Sequence, residues 1–351
     1  MIPPLLLPEY APQSGVMLTW PHEATDWRAI LHRADALYIE LVRAISRHET
    51  ALIICHDETL RAHVQTLLEQ ADIPQGTIRY CLASANDTWV RDYGPLTVQV
   101  NGSPLLLDFA FDGWGGKYPS TLDNEISHTL YAAGVFGRND YLRHTLVLEG
   151  GSVDTDGSGT LLTTARCLLN SARNPGLDRH QLEGLLSGYL GISRFLWLDH
   201  GELEGDDTDG HVDMLARFCS PDIIAYSRCD NPNERHYHEL NAMEQQLRTF
   251  RKADGTAYHL VPLPLPPPVL NASGQQLPAS YANFLIINAA VLVPVYADPA
   301  DATALEVLAP CFPDRELIPV DCTTLIQQSG SLHCATMQLP AGVLPENGAM
   351  Q

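Results

Sequence analysis

The sequence predicts an α/β protein of five strand–strand–helix–strand units, set radially like the blades of a propeller around one central cavity. Three observations carry this. Apolar strands paired by turn signals recur along the chain. Each pair is followed by a helical pattern and then by another strand. The two termini supply complementary halves of one unit. Identity between the units is negligible, so the repeat lies in topology. An open mixed α/β sheet is compatible with the same alternation.

Residues 15–20 read as the first strand. Residues 27–48 form an amphipathic helix, with Trp27, Ile30, Leu31, Ala34, Tyr38, Leu41, Val42 and Ile45 on one stripe. A strand at 51–55, a helix at 58–70 and a strand at 77–82 follow. The first hairpin joins 90–100 to 104–109 through Asn101-Gly102, a strong turn signal. A helix at 123–133 and a strand near Leu146 complete that unit. The second has strands 152–154 and 160–164, helix 178–190 and strand 194–198. The third has strands 211–218 and 222–227, helix 233–252 and strand 257–263. A proline-rich run, 261–268, opens a long loop before the fourth unit: strands 282–287 and 291–295, helix 301–309 and strand 316–320. Residues 332–338 are half of a fifth hairpin whose partner is 15–20. The chain is expected to be one domain, 1–351, with 341–351 as a flexible tail.

Acidic residues outnumber basic ones, 42 to 21, for a formal charge of −21. Such a field repels nucleic acid and anionic membrane surfaces and attracts small cations. The eight cysteines are scattered and contain no Cys-x-x-Cys pair, which fits reduced thiols in a cytoplasmic protein. The prolines of Met1-Ile2-Pro3-Pro4-Leu5-Leu6-Leu7-Pro8 and its lack of a basic region argue against a signal peptide. No apolar stretch is long enough to span a bilayer.

Polar residues capable of chemistry stand at the strand starts of four units: Asp92, Glu149, the His211/Asp213 pair, and Cys334. Each has a plain structural explanation alone. Asp92 reads as part of an Arg-Asp turn, Glu149 as a turn acid before glycines, and Cys334 as a small buried apolar residue. Together they supply a thiol, an imidazole and three carboxylates at equivalent ends of different units, which favours one shared pocket. In Asp154-Thr155-Asp156-Gly157-Ser158-Gly159 a calcium-loop start lacks the acid its twelfth position needs, where Ala165 stands, so it reads as a hairpin turn. His236 and His238 lie on different helix faces. A zinc site from His200, His211 and Asp213 wants a clear third ligand.

These residues resemble the agmatine deiminase family, part of the guanidino-group-modifying superfamily that includes the bacterial peptidylarginine deiminases. The matching pieces are Trp89-Val90-Arg91-Asp92-x-Gly94-Pro95, Asp112-Gly113-Trp114-Gly115-Gly116, Glu149-Gly150-Gly151-Ser152, Asn170 with Arg173-Asn174-Pro175, Gly210-His211-Val212-Asp213, Ser280-Tyr281-x-Asn283-Phe284, and His333-Cys334 before Gln338-x-Pro340. The resemblance implies a five-bladed αβ propeller, no metal or other cofactor, and dimers or larger assemblies. It implies Cys334 as nucleophile, His211 as general acid/base, Asp92 and Asp213 gripping a guanidinium, and Glu149 orienting the histidine. Trp89 and Trp114 would line the pocket through cation–π contact. The expected partner is a small cationic guanidine, agmatine first, with another guanidine or peptidylarginine as alternatives. A zinc-dependent hydrolase and a non-catalytic polyamine-binding protein are the readings from other classes. One departure stands out: Ser329-Gly330-Ser331-Leu332-His333 precedes Cys334 where the family shows a glycine run and Asn-Ile-His.

Overall fold

The computed structural model describes residues 3–345, a mixed α/β fold of several sheets. Five of the sheets share one plan, an antiparallel pair whose second strand takes a parallel partner after a helical crossover. Ser103–Ala110 pairs antiparallel with Leu96–Val100 and parallel with Asp140–Val147, which follows the helix Ile126–Ala132. Asn101 and Gly102 turn that hairpin with φ of 52° and 84°, the left-handed pair a two-residue loop requires. Thr160–Thr164 takes Val153–Thr155 and, after the helix Arg179–Leu190, Arg194–Leu198. Asp178 and Gln181 form a capping box that starts this helix. Ile223–Arg228 takes Ala216–Ser220 and, after Tyr237–Thr249, His259–Pro264. Ala290–Val295 takes Leu285–Ile286 and, after Ala300–Leu308, Glu316–Asp321. The termini meet in the remaining sheet: Met337–Pro340 lies antiparallel to Gln13–Thr19, with Thr50–Cys55 and Ile78–Leu82 parallel beyond it.

Three expected strand starts are turns instead. Val90–Tyr93 is a single helical turn, Val212–Met214 a 3₁₀ turn, and the last strand begins at Met337 rather than 332. The residues there are buried on every side, so they carry no period-two alternation to mark a strand. The proline-rich loop holds a short ribbon, Val269–Leu270 with Gln276–Leu277. Within the segment expected as a tail, Val343 and Leu344 are buried, and the Leu344 amide donates to Ser14 Oγ at 3.0 Å. Apolar packing thus anchors residues 341–345; residues 346–351 lie outside the described residues. No helix among the described residues is long and apolar enough to cross a membrane.

The N-terminal segment crosses all five sheets. Leu5–Leu6 adds to the edge of Leu96–Val100, Tyr10 Oη donates to the Asp156 carbonyl at 2.6 Å, and the Gln13 side chain donates to the Ile286 carbonyl at 2.9 Å. At its centre the Glu9 carboxylate meets Arg91 at 3.2 Å, Arg217, His333 Nε2 at 2.8 Å and Gln338 Nε2 at 2.9 Å. Burial raises the Glu9 carboxyl, but Arg217, His333 and Arg91 outweigh it and hold the group well below the usual carboxylate range. Glu9→Gln would leave two buried guanidiniums short of their counter-charge, a loss of about 3–5 kcal/mol. Denaturant unfolding at pH 7 measures this. Because the folded-state pKa is depressed, the difference should be full above about pH 5 and shrink as pH falls; an unchanged midpoint at neutral pH would show that the network does not hold the sheets.

Candidate active site

The three turns that replace strand starts each carry a candidate residue inward. In Val90–Tyr93, Asp92 and Arg91 are both buried but serve different surroundings. Arg91 runs to Glu9, whereas Asp92 Oδ2 accepts from Trp114 Nε1 at 2.9 Å and its Oδ1 accepts from the Gly151 amide at 3.0 Å. Trp114 achieves this in a left-handed conformation, φ 58°, within a glycine loop that Asp112 closes by accepting from the Gly115 amide. A left-handed tryptophan is rare and is held here by that bond to Asp92.

Glu149 precedes the turn Gly150–Ser152 and is fully buried. Arg173 Nε donates to both its oxygens, at 2.8 and 2.9 Å. Gly151 marks where the side chains converge. A Cβ there would stand 2.6 Å from His211 Nδ1, 2.8 Å from Asp92 Oδ1 and 3.0 Å from Asp213 Oδ2, so no larger residue fits. His211 and Asp213 flank Val212 in the third turn, and Val212 is fully buried. Cys334 sits in a turn, its Sγ 3.8 Å from Asp213 Oδ2 and within reach of Asn283 Nδ2 at 3.4 Å. Both His211 ring nitrogens and Asp213 Oδ1 are buried and make no hydrogen bond. The nearest charges to the ring are Asp92 Oδ1, 3.5 Å from Nδ1, and Glu149 Oε2, 3.7 Å from Nε2. Clustered orphan polar atoms are rare in folded proteins and single this cluster out as the candidate site.

The electrostatics divide the groups. Burial opposes a charge on His211, but Asp92 and the neighbouring Cys167 and Glu149 raise it well above the ordinary imidazole range. Burial likewise opposes the Glu149 anion, yet His211 and Arg173 hold its carboxyl below the usual value. Burial pushes Asp92 up to about 6, with Asp213 and Glu149 adding to the rise against His211. Asp213 stays low despite burial because His333 Nδ1 bonds its Oδ2 at 2.8 Å. Burial and then the charges of Asp213 and Asp92 push the Cys334 thiol well up. A thiol, a protonated imidazole and two carboxylates are thus at hand for covalent and acid/base chemistry on a cation.

A cavity of about 90 Å³ reaches Cys334 and Asp92 from the exposed ring of Tyr118. Trp89, Trp114, Asp26, Asp87 and Asp207 also line it, and no Arg or Lys does. Gly330 is needed beside it, since a Cβ there would lie 2.2 Å from the Trp89 ring. The departure in sequence before Cys334 therefore still folds: Ser329 turns at φ 64°, and Ser331 Oγ bonds Tyr296 Oη at 2.9 Å.

The model of the Porphyromonas-type peptidyl-arginine deiminase family matches residues 5–340. The chain belongs to this family. It is 33% identical to the agmatine deiminase of Stutzerimonas stutzeri over 95% of this chain and 94% of that one. Among solved structures, one from Porphyromonas gingivalis, provisionally named an arginine deiminase, is 45% identical with TM-score 0.91, covering 97% of this chain and all of that one. The Campylobacter jejuni agmatine deiminase, as a cysteine-to-serine variant with substrate bound, is 33% identical with TM-score 0.89 over 96% of both chains.

Family likeness alone did not disclose the supporting residues. His333 bridges Asp213 to Glu9, and Asn283 Oδ1 accepts from the His333 amide at 2.9 Å, fixing the turn that carries Cys334. Both lay in matched motifs without a role. Glu9 and Cys167 had no signal in sequence, because their partners are far along the chain. His200 is half-exposed beside Glu239, and no cluster of metal-ligating atoms among the described residues joins it to His211 and Asp213, so the zinc triad considered from sequence does not assemble. A thiol pushed up by two anions should be alkylated slowly at neutral pH. Iodoacetamide labelling of Cys334, followed by peptide mass, should accelerate steadily to above pH 9; a plateau reached by pH 7 would mean a preformed thiolate.

Proposed function

We propose that the chain hydrolyses agmatine to N-carbamoylputrescine and ammonia through a covalent thiouronium on Cys334. The observation that carries this reading is the cavity itself: four carboxylates, two indoles and a phenol line it, with no basic side chain to receive a substrate carboxylate. Agmatine presents a guanidinium at one end and an ammonium at the other. Free arginine would bring an anion into the same field.

In this reading Asp92 and Asp213 bond the guanidinium N–H groups and hold it in plane. The cation cancels the two charges that push the Cys334 thiol up, so substrate binding itself promotes the thiolate. Sγ attacks the guanidinium carbon, and His211 protonates the departing nitrogen, which leaves as ammonia. His211 then removes a proton from water, which attacks the thiouronium, and the thiolate leaves from the urea product. Glu149, anchored by Arg173, keeps the His211 ring charged and oriented. Asp26, Asp87 and Asp207 would receive the distal ammonium, with Trp89 and Trp114 along the chain. Side chains and water suffice for each step.

We further infer a single catalytic domain in which the five sheets close as blades around an axis. The contacts of Arg217 support this, since it bonds Asp154 at 3.1 Å and the Phe284 carbonyl at 3.1 Å as well as Glu9, joining three sheets to the N-terminal segment.

Agmatine, arginine and a peptidylarginine should be offered to the purified protein with ureido-product and intact-mass detection. Agmatine should turn over with an adduct on Cys334, and Cys334→Ser should lower kcat by at least about 10⁴-fold. Turnover of another guanidine with agmatine untouched would overturn the assignment. Because Asp92 must be ionised to receive the cation, kcat/KM should fall as pH drops through about 6.

A further inference from the structure

We propose that Glu149, Cys167 and His211 form a metal-binding site for a thiophilic divalent cation such as zinc or cadmium, set behind the substrate cavity. One oxygen, one sulfur and one nitrogen of these residues lie within 4.8 Å of one another, and all three residues are buried. Cys167 Sγ stands 3.8 Å from Glu149 Oε2, and His211 Nε2 stands 3.7 Å from the same oxygen. Tetrahedral zinc with bonds of about 2.0–2.3 Å spaces its ligand atoms about 3.3–3.8 Å apart, so small side-chain shifts complete the site. His211 Nε2 makes no hydrogen bond that would have to be broken.

The surroundings have the form that supports metal ligands. Nδ1 of His211 lies 3.5 Å from Asp92 Oδ1 without a hydrogen bond, so a small ring shift would engage the carboxylate that commonly orients a metal-binding imidazole. Arg173 takes one lone pair from each Glu149 oxygen and leaves others free. Sulfur and imidazole in the set select zinc-like ions over magnesium or calcium, which need oxygen. Cys167 does not line the substrate cavity, whereas Cys334 does. The site is therefore distinct from the nucleophile. If His211 carries protons as proposed above, an ion here withdraws it and inhibits the enzyme reversibly while Cys334 stays free. Binding displaces protons from the thiol and the imidazole, so it tightens as pH rises.

Cadmium titration of chelator-treated protein, read by the ultraviolet thiolate-to-cadmium charge-transfer band, tests the site without any turnover assay. The wild-type protein should bind one ion per chain with one thiolate. Cys334→Ser should keep the band and the affinity. Cys167→Ser should lose the band and weaken binding beyond the roughly 10–100-fold that removal of a mere supporting partner brings. No band in the wild-type protein, or a band kept in Cys167→Ser and lost in Cys334→Ser, would overturn the proposal. If Cys167→Ser does not fold, Cys167→Ala takes its place: a lost band supports the site and a retained one refutes it. Failure of agmatine turnover would leave these spectra unaffected.

Discussion

The Glu9 carboxylate neutralises two buried guanidiniums, those of Arg91 and Arg217, and accepts from His333 and Gln338. An arginine so placed is tolerable only with a close counter-charge, and each of these two belongs to a different sheet unit. The N-terminal segment thus supplies the charge that lets the remaining sheets approach one another. Its reach extends to the chemistry, because the same His333 that meets Glu9 holds Asp213 beside Cys334. Structural support and site geometry share one chain of contacts.

Around it, nearby charges set apart carboxyl groups that burial alone would drive neutral. Asp213 and Glu149 are kept anionic by His333, His211 and Arg173, whereas Asp92 rises toward neutrality. Divergent environments around like groups are how one fold assigns acid and base roles. Gly151 is the steric counterpart: three of these side chains converge on the space that a Cβ would fill. Trp114 adds a third constraint, adopting a left-handed backbone to give its indole N–H to Asp92.

Two buried cysteines, each beside a carboxylate, illustrate how position divides similar chemistry. Cys334 opens to the cavity with Trp89 and Trp114, beside the carboxylates suited to a guanidinium. Cys167 lies against Glu149 and does not line that cavity. The altered sequence before Cys334 leaves its turn intact, since Ser331 and Asn283 supply the bonds that hold it.

Much of this was legible in residues alone. Strand–turn–helix alternation placed the elements of the five units apart from three strand starts, because Asn101-Gly102 and apolar periodicity are local signals. The motifs of Asp92, Glu149, His211, Asp213 and Cys334 identified which side chains to watch. Local pattern could not distinguish a buried turn from a buried strand at Val90–Tyr93 or Val212–Met214, since every residue of both, charged ones included, is buried. Nor could it join Glu9 to His333, separated by 324 positions, or Cys167 to His211. Those pairings follow from how sheets pack, and only the tertiary structure, which sets charges against one another across such separations, decided them.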